Sequence, residues 1–188
     1  GDDTDATIVL DDSQTGGPYI YTGNEMDKRG EGTTGASHGP ITIQKINGFT
    51  GKTVWQYQID AVYNEAVNGG LMATPVLGTG EVSDLVFFNI AKTTSDKQGS
   101  LVALDKKTGG VIWRRHLGNY SWSSPTIVTT SSGKQYGILS DSDGVMHLFD
   151  PQTGQDIHTI SLGKNVEATP SMFGDTLVVA SYDRNIYA

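Results

Sequence analysis

One serine in the sequence lies in a pattern that can support nucleophilic catalysis. Gly35-Ala36-Ser37-His38-Gly39 matches the Gly-x-Ser-x-Gly spacing of serine hydrolases, in which a sharp turn between a strand and a helix exposes the hydroxyl. Here a stretch rich in glycine and threonine precedes the pattern, and a proline followed by a strand-like apolar segment comes after it. Because neither flanking element has the required type, the sequence predicts a loop at this position and no catalytic residue.

Two groups of acidic residues could attract a cation. Asp141-Ser142-Asp143-Gly144 is similar to the opening of a calcium-binding loop, but position twelve of that loop is Gln152 instead of the usual glutamate. The sequence therefore favours a hairpin turn there. The second group lies at the N-terminus and is predicted to form a solvated edge, with adventitious cation binding as the alternative; it contains Asp2, Asp3, Asp5, Asp11 and Asp12.

Histidine, cysteine and net charge exclude several further functions. The histidines, at positions 38, 116, 147 and 158, lack metal-ligand spacing, and the 188-residue chain contains no cysteine. With 13 basic and 21 acidic residues the net charge is −8, which argues against a broad nucleic-acid-binding surface. No apolar run approaches the roughly 20 residues that span a bilayer. We therefore predict no metal, no cofactor, no nucleic-acid partner and no membrane span.

The composition indicates that the candidate binding residues are positioned by β-strands. It contains 14 Val, 13 Ile and 21 Thr against 11 Leu, and β-branched residues favour strands over helices. The length suits one domain or a piece of a larger one. Because residues 184–188 read as an unfinished strand, we expect the sequence to be a fragment of a longer polypeptide.

An internal repeat organises the chain. An apolar residue, Asp or Asn, two variable residues, Thr-Gly, three variable residues and Trp recur over Ile46–Trp55, Leu104–Trp113 and Phe149–His158, where histidine replaces the last Trp. A second marker recurs as Ala73-Thr74-Pro75, Ser123-Ser124-Pro125 and Ala168-Thr169-Pro170. Both markers are spaced by 45 residues between their last two copies, and this agreement indicates a true repeat.

Each repeat predicts four short strands. In the clearest unit we expect strands at Pro125–Thr129, Gln135–Leu139, Gly144–Phe149 and Asp156–Ser161, separated by turns rich in Ser, Asp and Gly. Four antiparallel strands in about 45 residues form the unit of a β-propeller blade.

The repeat resembles the PQQ-like, or quinoprotein-like, repeat that carries the tryptophan-docking motif; residues 104–113 are nearly a consensus copy. The resemblance covers residues 41–188, and residues 6–23 fit as the first two strands of the first unit. It implies that each Trp packs between adjacent blades against a Thr-Gly turn, and that the contact is weaker where His158 replaces Trp. The implied docking residues are Trp55, Trp113, Thr50, Gly51, Asp105, Thr108, Gly109, Asp150, Thr153 and Gly154.

The resemblance predicts an all-β fold of about three and three-quarter blades, at residues 4–63, 70–118, 120–163 and 166–188. Such a chain is a fragment of a propeller of seven or eight blades or half of a dimeric ring. Its two apolar flanks must be covered, either by the remaining blades of the same polypeptide or by self-association. We also expect Trp113 to be buried between blades, beside Leu104 and Ile112.

Loop length is the best pointer to function. The long connections at residues 24–39, 61–71 and 91–99 are all predicted on one face, called here the long-loop face, whereas the Thr-Gly turns lie on the opposite turn face. Elaboration of one face of a repeat scaffold is typical of a binding surface. Tyr120 and Trp122 belong to this long-loop face and are candidate partner-binding residues. In the alternative interpretation Trp122 fills a gap between blades.

The sequence thus predicts a non-catalytic binding or assembly scaffold whose protein or polymer ligand is unknown. The alternative is part of a quinoprotein-type oxidoreductase whose active-site blades are missing from this chain. The resemblance also implies an extracytoplasmic location, in the cell envelope or secreted, because such propellers are common in bacterial envelopes.

Overall fold

The computed structural model describes residues 3–27, 38–63, 68–95 and 97–188. The described part is all-β apart from a 3₁₀ turn at Gly80–Val82. Ser37 of the serine pattern lies outside the described residues, and His38 opens a strand. The strands are β1 Val9–Asp11, β2 Tyr19–Gly23, β3 Glu25–Met26, β4 His38–Asn47, β5 Thr53–Val62, β6 Gly69–Gly70, β7 Val76–Leu77, β8 Leu85–Ile90, β9 Ser100–Asp105, β10 Val111–His116, β11 Thr126–Thr129, β12 Gln135–Ser140, β13 Val145–Phe149, β14 Asp156–Ser161, β15 Ser171–Phe173, β16 Thr176–Ala180 and β17 Ile186–Tyr187.

The strands form successive antiparallel meanders. Sheet 1 has the order β1-β2-β4-β5, sheet 2 the order β7-β8-β9-β10, sheet 3 the order β11-β12-β13-β14, and sheet 4 contains β15-β16-β17. Each sheet lies within one predicted unit, although the unit boundaries themselves stay predictions. The all-β architecture of four-stranded antiparallel sheets is as predicted from the repeat.

Apolar side chains fill the spaces between neighbouring sheets. Sheets 1 and 2 share the largest cluster, in which Tyr21, Ile43 and Phe88 are fully buried. A smaller cluster containing Leu139 and Phe149 connects sheets 2 and 3. Burial on this scale drives folding at about 25 cal/mol per Å² of apolar surface.

Large apolar side chains remain exposed at both ends of the array. In and beside β1, Ile8 and Leu10 are 53% and 58% exposed. In sheet 4, Phe173 and Ile186 are 88% and 75% exposed. These are the two flanks that the sequence predicted to need a cover.

The predicted long connections meet at one end of the sheets. β3, which follows β2, pairs with β6, which lies between sheets 1 and 2. Gly70 of β6 also forms a bridge with Ala91, just after β8. The long-loop face is therefore held together by backbone hydrogen bonds between three separate connections.

The second sequence marker forms a ladder between sheets. The amide of Thr74 donates to Oγ of Ser124 at 2.9 Å, and the amide of Ser124 donates to Oγ1 of Thr169 at 3.2 Å. Each hydroxyl therefore accepts a hydrogen bond from the equivalent residue of the preceding unit. This explains the hydroxyl residue before the proline in the second and third copies.

We expect Ser124→Ala to lower the free energy of unfolding by about 1 kcal/mol, because it removes the hydroxyl that accepts the Thr74 amide hydrogen bond. Urea denaturation monitored by tryptophan fluorescence measures the change. Ser131→Ala, at an exposed turn serine, is the control and should change stability by less than about 0.5 kcal/mol. Equal effects of the two substitutions would show that the ladder contributes nothing.

Candidate functional site

A single carboxylate organises the turn between β9 and β10. Oδ1 of Asp105 accepts hydrogen bonds from the amides of Lys107 and Thr108 and from the Thr108 hydroxyl, at 3.0, 2.7 and 2.8 Å. Burial raises the pKa of Asp105, but these hydrogen bonds outweigh it and hold the pKa below its usual value. Gly109 completes the turn with a φ of +73°, which favours glycine.

Trp55 of sheet 1 lies on this turn of sheet 2. Its Nε1 donates to the carbonyl oxygen of Lys106 at 3.0 Å, and the residue is only 8% exposed. A Cβ atom on Gly109 would lie 2.7 Å from Cδ2 of Trp55, so only glycine lets the ring approach the backbone. The indole thus joins two sheets by a hydrogen bond and by ring-to-backbone contact.

The next pair of sheets repeats this contact. Nε1 of Trp113 donates to the carbonyl oxygen of Pro151 at 3.0 Å, and a Cβ on Gly154 would lie 2.6 Å from Cε3 of the ring. Asp150 fixes the turn by accepting from the Gln152 amide at 2.8 Å and, through its carbonyl, from the amides of Thr153 and Gly154.

Trp113 itself is half-buried between sheets 2 and 3. Its ring centroid lies 5.8 Å from that of Phe87 and 6.2 Å from that of Phe149. Ile112, expected beside it, is instead 53% exposed, at a shift in the register between β10 and β9. The expectation that Ile112 packs with Trp113 is therefore wrong.

The turn of sheet 1 has the same construction without an indole on it. Oδ1 of Asn47 accepts from the amides of Phe49 and Thr50 and from the Thr50 hydroxyl. Within the described ranges, no atom lies within 4 Å of a Cβ built on Gly51. At the third Trp position, His158 is exposed on β14.

These turns allow a matched test of indole docking. Gly109 and Gly51 have similar φ values, +73° and +66°, so alanine should cost about 1–2 kcal/mol of backbone strain at either position. Gly109→Ala should cost roughly 1–3 kcal/mol more, because it also displaces the Trp55 ring. Urea denaturation measures both losses, and equal losses would contradict docking of Trp55 on this turn.

An aromatic pair lies on the long-loop face. The ring centroids of Tyr120 and Trp122 are 5.8 Å apart with their planes tilted by 51°, and both residues are half-buried. Nζ of Lys92 lies 5.6 Å from the Tyr120 centroid. Nε1 of Trp122 is buried and finds no hydrogen-bond partner in the part of the chain that the structure describes. The pair therefore offers two aromatic rings of fixed geometry, one of which packs near the buried Lys92.

The backbone that carries this pair is fixed from beneath by Asn89, which sequence reasoning did not identify. Nδ2 of Asn89 lies 3.1 and 2.8 Å from the carbonyl and hydroxyl oxygens of Ser121, and 2.7 Å from the Ser123 carbonyl. The Ser121 hydroxyl in turn donates to the carbonyl of Ser140. All four residues are buried, so these hydrogen bonds form out of water. In the part of the chain that the structure describes, Oδ1 of Asn89 and the hydroxyls of Ser123 and Ser140 have no hydrogen-bond partner.

The turn after β12 supports the same segment from the side. The amide and hydroxyl of Ser142 both donate to the carbonyl oxygen of Tyr120, at 3.0 and 2.8 Å. Oδ1 of Asp141 accepts from the amides of Asp143 and Val145 within this turn. The side chain that suggested a calcium loop therefore acts on the backbone of a hairpin turn.

Among the described residues, one acidic group has a geometry that could hold a cation. Carboxylate oxygens of Asp3, Glu25 and Asp27 lie within 4.8 Å of one another. Nδ2 of Asn68 donates to Oε2 of Glu25 at 3.0 Å. Of the N-terminal acids expected to be a solvated edge, Asp11 is 2% exposed and pairs with Lys106 at 3.5 Å. That expectation is therefore wrong for Asp11.

Comparison with known proteins supports the repeat and the fold. Residues 97–188 match the PQQ-repeat family described as "Outer membrane protein assembly factor BamB". No curated protein matches the chain. Among solved structures, BamB from Moraxella catarrhalis superimposes with a TM-score of 0.62 at 16% identity, over 98% of this chain and 46% of that one. The predicted PQQ-like repeat and β-propeller architecture are thereby confirmed.

Two computationally designed proteins share the same fold. Ika8 matches with a TM-score of 0.56 and Ika4 with 0.55, each at 14% identity and over 97% of this chain. The match covers 44% of the Ika8 chain and 89% of the Ika4 chain. The present chain thus spans about half the length of the BamB structure and of Ika8. Within its described ranges, no helix has the length and apolarity to cross a membrane.

Proposed function

We propose that this chain is a non-catalytic β-propeller scaffold that binds a protein partner through its long-loop face. The observation that carries the proposal is the aromatic pair Tyr120–Trp122, which is held on a backbone fixed by buried hydrogen bonds. The family match over residues 97–188 supports an assembly role, since the family is described as an assembly factor.

The geometry suits protein recognition because the segment that carries Tyr120 and Trp122 is already ordered, so binding loses little conformational entropy. Tyrosine and tryptophan offer large contact areas and few rotatable bonds, and they are enriched among residues that dominate binding energy. Here Ser142 holds the carbonyl of Tyr120, and Asn89 holds the backbone that follows it, so a partner need not immobilise the loop. The half-buried rings keep enough exposed surface to contact a partner.

We further propose an extracytoplasmic location, in the cell envelope or secreted. The description of the matching family as an outer membrane assembly factor supports the envelope. The exposed apolar flanks would be covered by further blades, either of the same polypeptide or of a second copy. The 46% coverage of the BamB chain is consistent with a ring about twice as long as this chain.

Site-specific photo-crosslinking tests the binding face even though the partner is unidentified. A photoreactive residue at Gly118 lies on the long-loop face, where a side chain meets no atom within 4 Å of its Cβ in the described structure. The matched position on the turn face is Phe49, which is 78% exposed. In cells that express the protein, we expect protein adducts from position 118 and not from position 49.

The aromatic pair is then tested in the same assay. Trp122→Ala should reduce the adduct from position 118 at least tenfold, because hot-spot aromatics contribute about 2 kcal/mol or more to binding. Phe49→Ala serves as the control and should leave the adduct unchanged, and urea denaturation of both variants verifies folding. Adducts that form mainly at position 49, or that survive Trp122→Ala in a folded protein, would refute binding by the long-loop face.

The non-catalytic part of the proposal has its own test. We expect isothermal titration of the protein with pyrroloquinoline quinone and Ca²⁺ to show no stoichiometric binding, and no alcohol oxidation to follow. Titration with Ca²⁺ alone separates any metal binding at the Asp3–Glu25–Asp27 group from quinone binding. Stoichiometric quinone binding at micromolar affinity or better would favour the oxidoreductase alternative.

A further inference from the structure

Four ionisable side chains meet where sheets 2 and 3 join. Arg115 of β10 binds Asp156 of β14 through two hydrogen bonds, Nη1 to Oδ1 at 2.6 Å and Nη2 to Oδ2 at 2.7 Å. Nδ1 of His147 on β13 lies 2.9 Å from Nη2 of Arg115 and 3.0 Å from Oδ2 of Asp156. Its Nε2 lies 3.3 Å from Oδ2 of Asp141. We call these residues the seam tetrad.

The corresponding positions between sheets 1 and 2 carry no charge. The docked Trp, the turn Asp and the strand pairing give each residue of the tetrad an equivalent between sheets 1 and 2. The equivalent pairs are Arg115 and Tyr57, His147 and Val102, Asp156 and Val111, and Asp141 and Ile90. Asp141 and Ile90 directly follow Ser140 and Asn89, which are also equivalent. Both seams share the docked indole. Two sheets of this fold can therefore pack together without the seam tetrad. The presence of four ionisable groups between sheets 2 and 3 needs a separate explanation.

The tetrad has two self-consistent hydrogen-bond arrangements that differ by one proton. When His147 is neutral, its Nε2–H donates to Asp141 and its Nδ1 accepts from Arg115. When His147 is protonated, Nδ1–H donates to Oδ2 of Asp156, and Arg115 keeps Oδ1 of Asp156 and the carbonyl of Gly154. Protonation changes the net charge of the tetrad from −1 to zero, in a place where His147 is 8% and Asp141 3% exposed.

Asp141 connects the tetrad to the long-loop face. Its second carboxylate oxygen, Oδ1, fixes the hairpin turn, and Ser142 in that turn donates twice to the carbonyl of Tyr120. Nδ2 of Asn119 also donates to Asp143 of the same turn at 2.8 Å. A change in the bond between His147 and Asp141 therefore acts directly on the turn that supports the aromatic pair.

We propose that His147 is a proton-sensitive latch, which tightens the seam between sheets 2 and 3 when protonated and thereby fixes the turn that carries the Tyr120–Trp122 segment. The part of this proposal that concerns the regulation of binding rests on the proposed function of the long-loop face. The part that concerns the titration of His147 depends only on the geometry of the tetrad.

The charges that face His147 determine the direction of its titration. Burial lowers the pKa of His147, but hydrogen bonds to Asp141 and Asp156 outweigh burial and the repulsion from Arg115, so the pKa lies above its ordinary value of 6.5. His158, on β14, lines an apolar cleft with His147 and is exposed. Because the folded-state pKa is raised, the stabilisation is complete below pH 6.5 and is lost as the pH rises through the folded-state pKa.

NMR titration of the histidine rings between pH 5 and 9 tests the latch directly. We expect His147 to titrate above its ordinary value of 6.5, because Asp141 and Asp156 accept hydrogen bonds from its protonated ring. In ¹⁵N spectra the amides of Tyr120 and Ser142 should follow the His147 curve in the wild type and lose that transition in His147→Gln. A His147 pKa at or below 6.5 would overturn the proposal.

A second measurement covers the case in which His147→Gln does not fold. His147→Val introduces the residue found at the equivalent position of the other seam, and His158→Gln is the matched control. In urea denaturation, the stability difference between wild type and His147→Val should be largest at pH 6 and shrink towards pH 9, whereas the His158→Gln difference should stay constant. A constant difference for His147→Val would overturn the latch.

The amide readout separates this inference from the proposed binding function. If His147 titrates as expected but Tyr120 and Ser142 do not respond, the coupling to the long-loop face is refuted. If both respond but photo-crosslinking finds no partner on that face, the latch stands and the proposed binding function fails.

Discussion

The docking of an indole from one sheet onto the turn of the next is the contact on which the array of sheets depends. Trp55 and Trp113 each donate a hydrogen bond to a backbone carbonyl beyond their own sheet, and each ring lies against a glycine with positive φ. The hydrogen bond fixes where the ring lies, and the glycine fixes how closely the sheets approach. The contact needs both partners, which fits the recurrence of Trp and Thr-Gly in the same repeat.

Indole docking fixes the geometry of the turn face and leaves the long-loop face free to vary. The docking turns must stay short, because Asp105 or Asp150 has to reach amides two to four residues further along the chain. The opposite ends of the strands bear no such requirement, and the long connections lie there. They are joined to each other by the pairing of β3 with β6 and by the bridge from Gly70 to Ala91. The fold thus leaves the long-loop face free to acquire binding residues.

Local sequence signals predicted the strands well because turns and strands depend on neighbours in the chain. Gln135–Leu139 and Gly144–Phe149 were expected, and the structure has Gln135–Ser140 and Val145–Phe149. The polar contacts of Asn89 and His147 could not be predicted, because they join residues of different strands and lie outside the repeating motif. Asp11 was misjudged for the same reason: its partner, Lys106, belongs to the next sheet.

The comparison of the two seams separates what the fold requires from what the tetrad adds. Taking charges out of water costs about as much free energy as their mutual attraction returns, so a buried ionic group contributes little stability beyond what well-packed apolar residues would give. The seam that contains Val102 and Ile90 is packed by the larger apolar cluster and has no tetrad. The seam with the tetrad is the one that adjoins the Tyr120–Trp122 segment, through Asp141 and Ser142. A repeat fold that can be held together without the tetrad carries it beside the Tyr120–Trp122 segment, and for this reason we propose that the tetrad acts on that segment.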